Sequence, residues 1–258
     1  DDRLTYRGLP RGKLTVVGGA TSSGKSALSN TFIRGASLAG LSTLVIPLED
    51  DPAAVTTRIL ANYGQIQNRA LQRREVDPAS WPRFSEACSA VAGWRVQFMP
   101  RAMPAVMLSQ AIRAHCLRNE TDLCVIDYVQ RVSAGRVTRS TQERVDFAME
   151  QIDQAREALP RTAFVLVSQL HRTKGAVPTK EDLYHSGSIE QWADTIMLLW
   201  RPDVELDAPC LACIIDKQKN GPIGRLVFGW DAEHQCYSEP EEWAKKAFNA
   251  AIERVVKG

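Results

Sequence analysis

The chain has 258 residues, of which 44% are hydrophobic and 24% are charged, and its net charge is +2. This length and apolar content suit one large α/β domain with a well-filled core. A net charge near zero excludes a basic polyelectrolyte, so any binding to nucleic acid must use locally placed charges rather than a global field. No apolar run approaches the ~20 residues that span a bilayer, and the first residues lack the order of a signal peptide. We therefore expect a cytoplasmic protein that does not engage a membrane.

A glycine-rich stretch near the amino terminus fits the phosphate-binding pattern G-x-x-x-x-G-K-S/T over residues 19–26. Residues 14–17 predict a buried strand before it, and residues 27–33 predict a helix after it. Backbone amides of such a loop form an anion nest, and the helix amino terminus adds its dipole. Lys25 would reach the terminal phosphates and the Ser26 hydroxyl would hold Mg²⁺. We predict a site for ATP, or another nucleoside triphosphate, with Mg²⁺, formed by Gly19, Ala20, Thr21, Ser22, Ser23, Gly24, Lys25, Ser26 and Ala27.

Apolar runs that predict strands follow along the rest of the chain and alternate with helical patterns. The strands are expected at 42–48, 94–98, 123–127, 162–167, 195–200, 211–216 and 225–229. This order favours an α/β fold with a mostly parallel twisted sheet, flanked by helices and with antiparallel strands at its C-terminal edge. We expect a lead-in over 1–12, an ATPase domain over 13–239 and an amphipathic helix over 240–258. That helix would place Trp243, Phe248, Ile252 and Val255 on one side.

The six cysteines admit two interpretations. Cys210 and Cys213, followed by His234 and Cys236, suggest a zinc site, but zinc ligands favour turn positions and Cys213 lies in a predicted strand. We favour reduced structural cysteines over zinc binding.

Catalytic groups are expected where strands end, because ligands of parallel sheets collect at the carboxyl edge. Asp127 closes an apolar strand and would contact Mg²⁺ through water. Tyr128 follows it where many ATPases place their catalytic glutamate, so the base must come from elsewhere, and Glu49 is the candidate. Its alternative role is a helix cap, which Asp50 or Asp51 could fill equally well. Gln169 ends another strand and could touch both the γ-phosphate and a DNA loop, or be a simple strand-end amide.

Six segments together resemble, in order, the RecA-type motor domain of DnaB-family replicative helicases. They are residues 19–26, Leu-Glu at 48–49, VIDYVQ at 125–130, VSQL at 167–170, SGSIEQWAD at 186–194 and DKQKNGP at 216–222. The resemblance covers residues 7–230 and implies a RecA-like fold, a ring-shaped homo-hexamer and ATP hydrolysis at subunit interfaces. It also implies DNA unwinding during translocation on single-stranded DNA, with 5′-to-3′ polarity. The family's amino-terminal domain and linker helix are not in this sequence, in line with a fragment or a short phage or plasmid form.

The resemblance also implies residue roles. Glu49 would activate water, Gln169 would sense the γ-phosphate, and Lys217 and Lys219 would reach into the neighbouring subunit's site. Lys219 stands where the family usually has a finger arginine. A lysine neutralises charge but cannot bridge two oxygens, so stimulation in trans would be weaker, or Lys217 would share it.

Two DNA-contacting loops are implied at about 131–142 and 172–188, and primase and a helicase loader are implied partners. The candidate DNA contacts are Arg136, Arg139, Arg172, Lys174, Tyr184, His185, Ser186 and Gly187. Tyr184 and His185 replace the family's usual Arg-Glu, so contact would use either their side chains or nearby backbone amides. The basic residues could equally be ordinary exposed charges.

Two other functions remain open on the sequence: a RecA-fold recombination ATPase that coats DNA, and a nucleotide-gated loader or adaptor. A P-loop kinase is disfavoured because no arginine-rich lid pattern is visible.

Overall fold

The computed structural model describes residues 8–99, 104–127, 140–171, 176–183, 186–201 and 210–257, without the side chains of Ser186 and residues 254–257. The strands are β1 (Leu14–Gly19), β2 (Thr43–Pro47), β3 (Val96–Phe98), β4 (Leu123–Asp127), β5 (Ala163–Gln169), β6 (Thr195–Trp200), β7 (Cys210–Gln218), β8 (Gly224–Asp231) and β9 (Cys236–Ser238). They form one nine-stranded sheet in the order β3-β2-β4-β5-β1-β6-β7-β8-β9.

Helices connect these strands and lie on both faces of the sheet. They are α1 (Lys25–Leu38), α2 (Pro52–Gly64), α3 (Asn68–Arg73), α4 (Trp81–Ala92), α5 (Ala105–Asn119), α6 (Thr141–Glu157), α7 (Ser186–Trp192) and α8 (Glu242–Lys257), with short 3₁₀ turns at Pro78–Ser80 and Lys180–Asp182. None of the helices in the described ranges combines the length and the apolar character that a bilayer-spanning segment requires.

The strand directions confirm the predicted fold class. Strands β1 to β6 pair in parallel, whereas β7, β8 and β9 add to the sheet in antiparallel fashion. Parallel pairing places the carboxyl ends of β1, β2, β4, β5 and β6 at one edge of the sheet, which we call the carboxyl edge. The opposite edge, where these strands begin, is called the amino edge. The first strand to run the other way, β7, ends at the amino edge because Gln218 pairs with Thr195 at the start of β6.

The core has two parts because neighbouring residues of a strand point to opposite faces. Val16 packs with side chains of α5 and α6, including Ile112 and Ile152. Val17, the next residue, packs on the other face with Leu28 of α1. The phosphate loop is therefore carried by a strand that is buried on both sides.

The C-terminal helix α8 packs on one face of the sheet, against β6 and β7. Phe248 and Ile252 are buried there beside Trp200, but Trp243 is 54% exposed. The prediction that Trp243 shares the buried side was wrong. The buried stripe follows positions 244, 248 and 252, each four residues apart and thus on one side of the helix, and the Val255 side chain lies outside the described part.

The structure separates the two cysteines of the zinc interpretation. Cys210 packs beside Trp200 on one face of the sheet, whereas Cys213 packs beside Val17 on the other. Two side chains on opposite faces of a strand cannot bind one zinc ion. Burial raises the pKa of the Cys213 thiol to about 12, so it stays protonated and behaves as a small apolar group.

Candidate nucleotide-binding site

The loop between β1 and α1 has a backbone that requires glycine. Gly24 has φ 91° and Ser22 has φ 62°, both in the left-handed region. A Cβ atom on Gly24 would lie 2.3 Å from the Tyr237 hydroxyl, and one on Gly19 would lie 2.2 Å from Ser23 Oγ. Left-handed residues in a turn direct neighbouring backbone amides inward, as in an anion nest. This loop thus fits a phosphate group.

Lys25, the first residue of α1, is only 9% exposed. Its ammonium donates to the carbonyl oxygens of Gly19 and Ala20 at 2.8 and 2.6 Å, which fastens the two ends of the loop together. Burial lowers the pKa of Lys25, and the charges of Asp127 and Glu49 oppose that shift. An ammonium carries three donors, so Lys25 can hold the loop and a phosphate oxygen together.

Ser26 and Asp127 form a pair of oxygen ligands suited to Mg²⁺. The Ser26 hydroxyl donates to Asp127 Oδ2 at 3.1 Å. Across the part of the chain that the structure describes, no three His, Cys, Asp or Glu side chains are grouped to hold a metal. Mg²⁺ does not need such a group, because it keeps several waters and phosphate oxygens beside one or two protein ligands. The residues present therefore fit the ion.

Burial raises the pKa of Asp127 to about 6. The Ser26 hydrogen bond opposes this shift, the Asp50 and Glu49 carboxylates add to it, and the Lys25 ammonium opposes it. Several acidic side chains thus lie close to one another beside the loop, and a divalent cation placed among them would relieve their repulsion.

The three acids after β2 have separate roles. Asp51 caps α2, because its Oδ1 accepts from the Ala54 amide at 2.7 Å. Asp50 forms an ion pair of 2.5 Å with Arg58 of the same helix. Glu49 is exposed, and its amide donates to the Asp127 carbonyl at 3.3 Å, so it lies next to Ser26 and Asp127. Since Asp51 is the cap, the alternative role considered for Glu49 is filled by another residue.

Gln169 lies at the same carboxyl edge, because it is the strand partner of Gly19 in the β1–β5 pair. The next residue, Leu170, forms an isolated bridge with Leu183. This bridge joins the end of β5 to the segment that leads into α7. The second implied DNA loop, at about 172–188, ends in the first turn of α7. Gln169 thus lies between the phosphate loop and that segment.

Lys217 and Lys219 lie at the amino edge, away from the phosphate loop of their own chain. Lys217 pairs with Ile196 near the start of β6, and the Lys219 amide donates to the Asp194 carbonyl at 3.0 Å. The six residues of β1 separate this edge from Gly19, a distance of about 17 Å for an extended strand. These lysines cannot complete the site of their own chain.

Two aromatic residues beside the loop were not found from the sequence. The Tyr237 hydroxyl donates to the Gly24 carbonyl at 2.8 Å, and the Trp230 ring lies 4.9 Å from the Tyr237 ring. Tyr237 belongs to β9, a three-residue strand whose mixed composition gives no strand pattern. No local signal could have linked it to a loop more than 200 residues earlier in the chain.

Most candidate DNA contacts lie outside the described residues. These are Arg136, Arg139, Arg172, Lys174, Tyr184 and His185. Ser186 begins α7, and Gly187 is exposed in its first turn, where an added Cβ atom would meet nothing within 4 Å.

Comparisons with known proteins agree with this geometry. The family of the DnaB-like helicase C-terminal domain matches residues 2–239. The replicative DNA helicase DnaB of Geobacillus stearothermophilus is 28% identical over 253 residues, covering 92% of this chain and 54% of that protein. DnaB of Leifsonia xyli subsp. xyli is 29% identical over 254 residues, with the same coverage of 92% and 54%. The chain thus spans about half the length of the curated relatives it matches.

Solved structures show the same fold. A DnaB-like replicative helicase, studied with its interactions with primase, superposes with a TM-score of 0.84 at 21% identity, covering 93% of this chain and 60% of that one. The ATPase domain of G40P also gives 0.84, at 22% identity, covering 93% of this chain and 88% of that one. The shared fold and the family match over most of the sequence lead to one conclusion: the chain belongs to the DnaB-like helicase C-terminal domain family.

Proposed function

We propose that this chain is the ATP-driven motor of a DnaB-type replicative DNA helicase. One observation carries the proposal: the candidate site is divided between the two edges of the sheet. The carboxyl edge carries the phosphate loop with Glu49, Asp127 and Gln169. The amino edge carries Lys217 and Lys219. A complete site then requires a second copy of the chain, as in a ring-shaped hexamer that hydrolyses ATP at its subunit interfaces.

The chemistry at the carboxyl edge would follow from the groups gathered there. The loop amides and Lys25 would hold the phosphates, and Ser26 and Asp127 would hold Mg²⁺, which neutralises charge on the phosphate oxygens. Glu49 would orient a water molecule for in-line attack on the γ-phosphate. Gln169 would contact the γ-phosphate and respond to its loss on hydrolysis. The Leu170–Leu183 bridge would then transmit this change to the segment before α7.

Lys217 and Lys219 of the adjacent subunit would supply positive charge to the transition state. Each is a point charge without the planar fork of arginine, so each can neutralise charge but cannot bridge two phosphate oxygens. Hydrolysis would release this contact and move the DNA loops along single-stranded DNA. The phosphate contacts of those loops are proposed for Arg136, Arg139, Arg172 and Lys174, with Tyr184, His185, Ser186 and Gly187 at the second loop.

Partners follow from the relatives. The solved DnaB-like helicase was studied with primase, and we propose primase and a helicase loader as partners of this protein. The 5′-to-3′ polarity and the cytoplasmic location expected from the sequence stay predictions.

The decisive experiment measures ATP hydrolysis with and without single-stranded DNA. Lys25→Ala and Glu49→Gln are expected to abolish DNA-stimulated turnover, because one loses the phosphate cation and the other the water activator. Lys246→Ala and Glu150→Gln change exposed residues of α8 and α6 and serve as matched controls with unchanged turnover. Wild-type turnover by either site variant would reject the role assigned to that residue.

A forked DNA substrate then separates a helicase from the other two functions. Strand separation that requires ATP supports the proposal. Hydrolysis without strand separation would instead indicate a recombination ATPase. Assembly with a non-hydrolysable ATP analogue, seen by native mass spectrometry without DNA-stimulated turnover, would indicate a loader or adaptor.

A further inference from the structure

Asp194 is a buried acid at the amino edge of the sheet, at the junction between α7 and β6, and its residue is only 5% exposed. Both its side chain and its backbone form hydrogen bonds with Leu14, the first residue of β1. The Leu14 amide donates to Asp194 Oδ2 at 3.0 Å, and the Asp194 amide donates to the Leu14 carbonyl at 2.9 Å. The backbone and one carboxylate oxygen are thus fixed to the strand that carries the phosphate loop at its other end.

The second carboxylate oxygen faces the proposed trans-acting lysine. The Lys219 ammonium lies 3.0 Å from Asp194 Oδ1, and the Lys219 amide donates to the Asp194 carbonyl at 3.0 Å. Lys13 also lies near Oδ1, but at 3.8 Å, which is beyond hydrogen-bond distance. The Lys219 side chain is 49% exposed, so its ammonium is anchored at the protein surface and remains accessible to another molecule.

We infer that Asp194 is the positioning residue for Lys219 in the reaction at the neighbouring subunit's site. This inference rests on the proposed function. A lysine side chain has four rotatable bonds and a compact charge, and it loses much rotamer freedom when it is held in one place. Arginine limits this loss with a rigid planar fork, which Lys219 lacks. A buried, fixed carboxylate at 3.0 Å supplies the constraint that the side chain itself does not.

The anchor also joins two nucleotide sites. Oδ2 binds the start of β1, whose other end forms the subunit's own phosphate loop, and Oδ1 binds the lysine that serves the next site. Asp194 therefore contacts both the strand that carries one phosphate loop and the lysine proposed to serve the next.

Lys217 is held by a different group, and the Asp194 carboxylate acts on the Lys217 ammonium less than Lys219, Glu190 and Lys180 do. The Lys217 ammonium donates to the Glu190 backbone carbonyl in α7. Replacing the Asp194 carboxylate removes the charged anchor of Lys219 and leaves this backbone acceptor of Lys217 in place.

The test uses the full chain with single-stranded DNA and compares Asp194→Asn with Lys13→Gln. Asparagine keeps an acceptor for the Leu14 amide but loses the charge that holds Lys219. We expect kcat for DNA-stimulated hydrolysis to fall about tenfold, with KM for ATP within about twofold of wild type, since the lost contact acts in the transition state. Lys13→Gln removes the more distant cation and is expected to keep wild-type kcat and KM.

A double-mutant cycle tests whether Asp194 acts on kcat through Lys219. In a Lys219→Ala background, Asp194→Asn is expected to cause no further loss of kcat. Wild-type kcat in Asp194→Asn, or an equal additional loss in the Lys219→Ala background, would overturn the inference. Asp194→Ser, which removes the same charge, provides a second variant with the same expected fall in kcat, and all assays are run below the Tm of the least stable protein. Wild-type kcat in Lys219→Ala alone would instead reject the trans role of Lys219 in the proposed function.

Discussion

The Tyr237 hydroxyl donates a hydrogen bond of 2.8 Å to the carbonyl oxygen of Gly24, and so joins the last strand of the sheet to the phosphate loop. Burial raises the pKa of Tyr237, so the hydroxyl stays a donor throughout the ordinary pH range. Gly24 is the residue that precedes α1 and has a left-handed backbone. The loop is therefore supported from outside by a side chain that the phosphate-binding pattern does not include.

Tyr237→Phe removes this hydrogen bond and keeps the ring. We expect the free energy of unfolding to fall by about 1 kcal/mol, the usual net contribution of one such bond. Urea unfolding measures the change. Tyr63→Phe is the control, because the ring of Tyr63 in α2 packs edge-on against Trp94. An equal loss of unfolding free energy in both variants would mean that the hydrogen bond to Gly24 does not stabilise the fold.

Gly24→Ala places a Cβ atom on a left-handed residue and against the Tyr237 hydroxyl. Strain of this kind costs about 1–3 kcal/mol, so we expect binding of a fluorescent ATP analogue to be weaker by about fivefold or more. Gly35→Ala is the matched control. Gly35 lies inside α1, and an added Cβ would meet nothing within 4 Å, so alanine should stabilise the helix by about 1 kcal/mol. Unchanged affinity in Gly24→Ala would contradict the loop geometry.

Asp51→Ala and Glu49→Gln should separate stability from catalysis. Asp51→Ala removes the cap of α2 and is expected to lower the free energy of unfolding by about 1 kcal/mol while hydrolysis continues. Glu49→Gln is expected to abolish hydrolysis with little change in stability. Thermal unfolding and ATP turnover of the two variants check this. Loss of hydrolysis in Asp51→Ala at a temperature where it remains folded would show that the cap also serves the site.

The charge of Asp194 should make stability depend on acid pH. Burial alone would raise its pKa, but the hydrogen bond from the Leu14 amide and the Lys219 ammonium outweigh burial and lower it. A carboxyl with a lowered pKa in the folded state stabilises the fold above its unfolded pKa of about 3.9, and this stabilisation is lost as the pH falls through the folded value.

The stability difference between wild type and Asp194→Asn is therefore expected to be largest near neutral pH. We expect about 1.5–3 kcal/mol there, as for hydrogen bonds to a charged group, and a decline below a pH of about 4. Unfolding in denaturant across this pH range measures it. A difference that stays constant with pH would show that the charge of Asp194 does not contribute.

The sequence predicts the carboxyl edge well because its groups follow local patterns. Glycines and Lys25 form a contiguous loop, and Glu49, Asp127 and Gln169 each follow an apolar run that predicts a strand. Parallel pairing then brings these strand ends together. The fold class follows from the same alternation of elements.

The contacts that fix the site from a distance could not be predicted. Tyr237 approaches Gly24 only because β9 completes the antiparallel end of the sheet, and a strand of three residues carries almost no pattern. Asp194 was recognised as part of a motif, but its ion pair with Lys219 depends on the tertiary pairing of β6 with β7. Trp243 was misplaced because hydrophobicity favours burial, whereas the helix turns this side chain away from the sheet.

Under the proposed function, the position of Lys217 and Lys219 at the amino edge would also set how many working sites an assembly can have. In an open row of subunits, the terminal copy whose phosphate loop faces no neighbour receives no lysines, so complete sites number one fewer than subunits. Closing the row into a ring supplies the missing pair and makes the two numbers equal. Turnover per subunit should therefore rise with the length of an open row and reach its limit only at closure.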